Sequence, residues 1–296
     1  MLDFIVLFFF DSKSDRQISV LQLKITKFQS KDCILQLKYL NKMLAESYIH
    51  YNVENRIGTI EFFTLQHNAL PSSMLKELAE TIEKASTDIA AKVIILKSGG
   101  NKTFCAGASF DELLSIETEE QGETFFSGFA RVINAMRKSK KFIIGMVQGK
   151  AIGGGVGLIA ACDYVYATKS ADIKLSELAI GIGPFVIGPV VERKIGTAYA
   201  YEMSIDAANF RSAEWAKDKG LYAALFDDAV TLVEATNKLA NTLSNYSADA
   251  MAEVKKAFWT NTDHWKTLLY ERAAISGRLV LTEFTRDSLK AFKNKS

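Results

Sequence analysis

A chain of 296 residues with 48% hydrophobic and 24% charged residues is long enough for one large domain with an appendage. Its formal net charge of +2 lacks the excess that a nucleic-acid partner would need. Cys33, Cys105 and Cys162 lie far apart, which points to a reducing, cytoplasmic setting; His50, His67 and His264 lack metal-ligand spacing, so neither a metal site nor a Ser-His-Asp triad is expected.

The apolar run Phe4–Phe10 is too short to span a bilayer, and no membrane partner is expected. Residues 1–47 read as an extension outside the main fold, lysine-rich over 11–46, with a strand-like patch at Ile18–Ile25 and Met43 as the natural start. From Tyr48 the pattern becomes regular. Tyr51–Phe63 holds two strand-like pieces around a turn at Glu54–Gly58. Ser72 or Ser73 then caps a helix whose Leu75, Leu78, Ile82 and Ala85 recur at spacings of 3 and 4.

Val93–Leu96 is a fully apolar strand of the kind buried on both faces. It leads through Gly99–Lys102 into the small-residue stretch Phe104–Ala108, after which Ser109 and Glu112 have capping-box spacing. Phe125, Phe129, Ile133 and Met136 mark a helix and read as core. Phe142–Val147 is a second buried strand, and it enters Gly149–Leu158, with three successive glycines at 153, 154 and 155 before an apolar helix to Cys162. Glycines there let the backbone approach a ligand, and N–H groups at a helix N-terminus suit a phosphate or a developing oxyanion. Two strand–loop–helix units can thus aim N–H groups into one space.

Tyr164–Tyr166 and Ile173–Leu175 are strand-like, and Ser176–Phe185 follows. The remainder reads as helical over 189–195, 198–206, 212–219, 228–244, 247–259 and 263–292, so strands should stop at about two-thirds of the chain. Ser212 serves as a cap and Gly220 as a stop. The expected division is an extension over 1–47, a core over 48–225 and a C-terminal helical region over 226–296.

Phe104–Ala108, then Ala151-Ile152-Gly153-Gly154-Gly155 and Cys162-Asp163, resemble the crotonase family, also called enoyl-CoA hydratase/isomerase. Asn68-Ala69-Leu70, Phe210–Ala216 with Gly220-Leu221, and Phe284–Asp287 ahead of Lys290-Ala291-Phe292 agree in order and spacing, so the likeness covers about residues 48–296. It implies an α/β fold, a spiral of repeated ββα units with a C-terminal helical region that builds homotrimers or dimers of trimers. It also implies an acyl-CoA thioester as partner, with no cofactor beyond the CoA in the substrate. The thioester oxygen would accept N–H bonds from Ala108 and Gly154, while Asn68, Cys105, Ala106, Gly107, Gly153, Gly155 and Phe185 would line the substrate. Lys102 and Lys290 read as surface charges.

Hydratases of this family typically carry two glutamates. Here the second matches Glu177, and the first position is Gly157. One base suffices to move a double bond, taking a proton from one carbon and returning it two carbons away, whereas hydration is served by two groups. The expectation is therefore an enoyl-CoA enzyme, with Δ3-Δ2 isomerisation slightly favoured over hydration and Gly157→Glu expected to raise hydration. Alternatives are a non-catalytic acyl-CoA-binding protein, thioester hydrolysis or decarboxylation.

Overall fold

In the computed structural model of this chain, described over residues 47–293, a short unit recurs: a strand of one sheet, a shorter strand of another, then a helix. The extension expected over 1–47, with its patch at Ile18–Ile25, falls almost wholly outside the described residues. Strands β1 (Tyr48–Glu54) and β2 (Ile57–Phe63) form an antiparallel hairpin. Its turn holds Asn55 at φ 50° and Arg56 at φ 64°, the doubly left-handed geometry that matches strand twist. Strands β3 (Val93–Ser98), β5 (Ile143–Val147), β7 (Tyr164–Thr168) and β9 (Ala224–Phe226) continue this sheet in parallel, in the order β1-β2-β3-β5-β7-β9. Strands β4 (Thr103–Cys105), β6 (Lys150–Ile152) and β8 (Ile173–Lys174) form the second sheet, also parallel.

Helices follow in chain order: α1 (Ser72–Thr87), α2 (Phe110–Leu114), α3 (Glu119–Lys138), α4 (Gly154–Ala161), α5 (Gly188–Ile195), α6 (Thr197–Ile205) and α7 (Ala213–Asp218). Four more, α8 (Ala229–Ser244), α9 (Ala248–Phe258), α10 (Trp265–Leu279) and α11 (Glu283–Lys293), complete the described chain. The alternation of side chains along β3 divides the apolar interior in two. Ile94 and Leu96 join the main core with residues of α1, α3 and α4. Val93 and Ile95 pack on the opposite face with Leu232 and Ala240 of α8. That two-sided cover is why β3 lacks polar positions at its centre.

Strands do not stop at two-thirds of the chain. Strand β9 pairs in parallel with Tyr166, Ala167 and Thr168 of β7, and at three residues it is too short to show a period. Strands β4 and β6 likewise sit inside what read as loops. Pro71, with no side-chain bond, occupies the N-cap of α1; the N–H and Oγ of Ser72 instead donate to Glu112 Oε2, each at 2.8 Å. Ser109 Oγ accepts the Glu112 N–H at 3.4 Å, so this capping box is half formed, its glutamate drawn away to tie α2 to α1. The span 263–292 is divided into α10 and α11 rather than continuous.

The late helices lie on the spiral. Helix α10 crosses α3 where a methyl on Gly122 would stand 2.6 Å from the Gly277 Cα, so the two backbones touch. Helix α11 leans on the 3-10 turn Leu178–Ile180, with Phe284 Cδ1 2.7 Å from where a Gly181 methyl would sit.

Candidate active site

The second sheet brings two loops together. Cys105 of β4 is paired with Ala151 of β6, so the chain leaving each strand emerges side by side. Gly107 turns at φ 92° and Gly153 at φ 53°, both in the left-handed region that favours glycine. A methyl on Gly107 would lie 3.0 Å from the Ile152 oxygen and 3.5 Å from the Gly154 nitrogen. One on Gly155 would lie 2.8 Å from Cys105 Cβ. The loops are therefore in contact, and small residues are required on both sides.

Two N–H groups remain at this junction. Leu70 donates to the Gly107 oxygen at 2.8 Å and Ser109 donates to the Leu70 oxygen at 3.0 Å. In that parallel bridge the intervening Ala108 turns its own N–H the other way. Gly154 is the first residue of α4, where an N–H has no intrahelical carbonyl. Among the described residues neither N–H takes part in a turn, loop or cap bond. Behind Gly154 stands the ring of Phe129, with Cε2 2.7 Å from where a methyl on that glycine would be. Phe129 is core, as its helical spacing suggests, and it also fixes the position of this N-terminus.

Glu177 arrives from β8 through Leu175 and Ser176 and opens the 3-10 turn. Its carboxyl lies over Gly153: a methyl there would be 2.9 Å from Oε1 and 3.7 Å from Oε2. Oε2 is buried and has no hydrogen-bond partner among the described residues. Burial raises the carboxyl to about 7, opposed in part by its own backbone N–H. An acid at that value can both accept and release a proton near neutrality.

The position where a second glutamate was sought is occupied from another element. A methyl on Gly157 would lie 2.5 Å from Ile187 Cγ2 and 2.8 Å from Ile187 Cβ. A lone Gly157→Glu side chain therefore has no room, which alters the expectation of hydration from that single change. The one local sign of Ile187 in the sequence is the apolar run Phe185-Val186-Ile187.

Cys105 is buried and its thiol is pushed up to about 12 by burial. Ala106 donates its N–H to the His67 oxygen at 3.2 Å. Asn68 is buried, and its side chain accepts from the Thr64 N–H and donates to the oxygens of Gly99 and Thr103 at 2.8–2.9 Å; it shapes the first loop. Phe185 packs its ring on Gly183. Asn68 also borders a cleft of about 170 Å³ with Leu65, His67 and Lys102.

A larger cleft, about 390 Å³, opens at the far end of α4 beside Asp163, Lys194, Lys255 and Trp259. Its polar groups already have partners. Asp163 accepts from the Ile143 N–H, Lys255 Nζ and Trp259 Nε1 at 2.8–2.9 Å, and Lys194 donates to the Cys162 and Asp163 oxygens. These bonds secure the C-terminal end of α4. Among the described residues no group of three or more His, Cys, Asp or Glu could hold a metal ion, and no helix is long and apolar enough to cross a membrane.

The Ala108 and Gly154 N–H groups thus lie where the two loops meet, and the Glu177 carboxyl lies over Gly153, the residue before Gly154. Comparison with known proteins gives the family. Residues 52–296 match the family described as Enoyl-CoA hydratase/isomerase, and the chain belongs to this family. It is 28% identical over 234 residues to the short-chain-enoyl-CoA hydratase of Clostridium acetobutylicum, covering 77% of this chain and 87% of that one. It is 29% identical over 203 residues to the peroxisomal Delta(3,5)-Delta(2,4)-dienoyl-CoA isomerase of Arabidopsis thaliana, covering 64% and 71%. The fold is that of the enoyl-CoA hydratase from Bacillus halodurans, with a TM-score of 0.77 at 21% identity over 83% of this chain and 100% of that one.

Proposed function

We propose that the chain acts on enoyl-CoA thioesters and moves the double bond between C3=C4 and C2=C3, with Glu177 as the single acid–base group. The observation that carries this reading is the Glu177 carboxyl over Gly153, its Oε2 buried with no hydrogen-bond partner among the described residues, near a Gly157 position closed by Ile187. The Ala108 and Gly154 N–H groups hold the thioester oxygen as charge moves onto it. Loss of one such donor costs on the order of 3–4 kcal/mol in acyl-transfer enzymes. Glu177 takes a proton from C2 of the 3-enoyl thioester, the electrons spread over a dienolate, and the same proton returns at C4.

A carboxyl near 7 supports this shuttle, since one group must serve as base and then as acid. The reading needs no cofactor, because CoA arrives with the substrate. It extends to a homotrimer or dimer of trimers in the cytoplasm, for which mass in solution and fractionation are the checks. A relative named as a hydratase supports water addition as the second reading. Identifying products from short and medium 2-enoyl and 3-enoyl thioesters separates the two. Glu177→Gln is expected to abolish turnover of 3-enoyl-CoA while acyl-CoA binding persists; retained turnover would sink the assignment.

A further inference from the structure

We propose that Ile187 determines which reaction the site performs, by filling the place from which a water molecule or a second acid–base group would act. This rests on the reading of Glu177 as the proton carrier. Gly153 precedes α4 and its oxygen accepts the Gly157 N–H at 3.4 Å, so the two glycines stand about one turn apart at this end of the helix. The Glu177 carboxyl covers the first glycine and the Ile187 side chain covers the second. A hydrocarbon therefore closes the position one turn on from the glycine that the carboxyl covers.

Ile187 is held there. It is 3% exposed, stands at the N-cap of α5, and its oxygen accepts the Val191 N–H at 3.1 Å. The preceding turn is closed by the Gly188 N–H donating to the Pro184 oxygen at 2.6 Å. Val186 beside it is 5% exposed. Among the described residues Oε2 of Glu177 finds no donor.

The chemistry turns on that placement. In isomerisation the proton leaves C2 and returns at C4, so nothing enters or leaves the site. In hydration a water oxygen bonds to C3 of the 2-enoyl thioester as the C2=C3 electrons move toward the carbonyl. One water proton goes to a base and one proton is delivered to C2. That route needs room for water beside the carboxyl, and Ile187 takes that room. Gly157 and Ile187 thus act together: the glycine has no carboxylate to offer, and the isoleucine seals the gap.

The test compares wild type with Ile187→Ala, Ile187→Val, Ile187→Leu and the pair Ile187→Ala with Gly157→Glu. Each is assayed with 2-enoyl-CoA and 3-enoyl-CoA, products are identified, and cooperative melting is checked. Ile187→Ala should raise the ratio of hydrated to isomerised product by about tenfold, and the pair by more, since a positioned acid–base group contributes about 10²–10⁴-fold. The acid limb of the isomerisation profile should fall below 7 as water reaches Glu177. Ile187→Leu should leave both unchanged, and Ile187→Val, a milder change, should move both in the same sense if the alanine variant fails to fold. Folded variants with an unmoved product ratio and an unmoved limb overturn this inference alone. A wild type inert toward both thioesters overturns the functional reading and this inference with it.

Discussion

The carboxyl of Glu177 rests directly on the backbone of Gly153, so close that a methyl there would stand 2.9 Å from Oε1. The glycine that precedes the helix N-terminus is thus also the floor beneath the acid. Gly153→Ala should be strained at φ 53° by about 1–2 kcal/mol and should push the carboxyl out of line. We expect kcat for 3-enoyl-CoA to fall by roughly 10²-fold, the scale of a 1 Å misplacement, with KM little changed. Steady-state kinetics on the folded variant would show it.

The pH dependence of activity follows from the same carboxyl. As a base it must be ionised, so kcat/KM should rise with pH through a limb near 7. A profile already flat above pH 5 would contradict the role given to Glu177.

Stability should run the other way. The folded carboxyl holds its proton up to about 7, against an ordinary 4.5, so between those values the folded chain binds more protons than the unfolded one. The contribution of Glu177 to stability is greatest at low pH and declines as pH rises through that window. Glu177→Gln should remove this decline, making the variant about 1–3 kcal/mol more stable than wild type at pH 8 relative to pH 4. Urea midpoints at the two pH values would measure the difference.

Phe129 and Gly154 form a tightly matched pair. Gly154→Ala should drive a methyl into the ring and cost about 1–3 kcal/mol through overpacking. Phe129→Leu makes room, so the double variant should be more stable than the two single losses predict. Urea midpoints of the four proteins give the coupling.

Asp163 is predicted to be structural. It and Lys255 have side chains only 12% and 2% exposed, and the carboxylate also accepts from Ile143 and Trp259. Asp163→Ala leaves a buried ammonium without its partner and should cost about 3–5 kcal/mol. Guanidinium denaturation would read this directly.

What the sequence conveyed depended on how local the cause was. The apolar centre of β3, the glycines at 153–155 and the helical spacing of Phe129 are set by neighbours in the chain, and each can be read there. Strands of three residues such as β4, β6 and β9 have no period to detect. Glu112 has the spacing of a capping box, yet the donors of Ser72 capture it from another helix. The covering of Gly157 by Ile187 depends on how α5 is docked on α4, and no run of adjacent residues encodes that contact.

Helix α4 has a consequence for how the site comes into being. It is eight residues long, carries glycine at 154, 155 and 157, and is buried at every position. A segment so short and so rich in glycine does not hold a helix by itself in water, so its N-terminal N–H group is aimed only while the surrounding core is intact. Opening that donor is then an event of the whole chain rather than of one loop. A thioester gripped there should accordingly slow hydrogen exchange far from the site, in β3 and β5 as much as in the loops it touches.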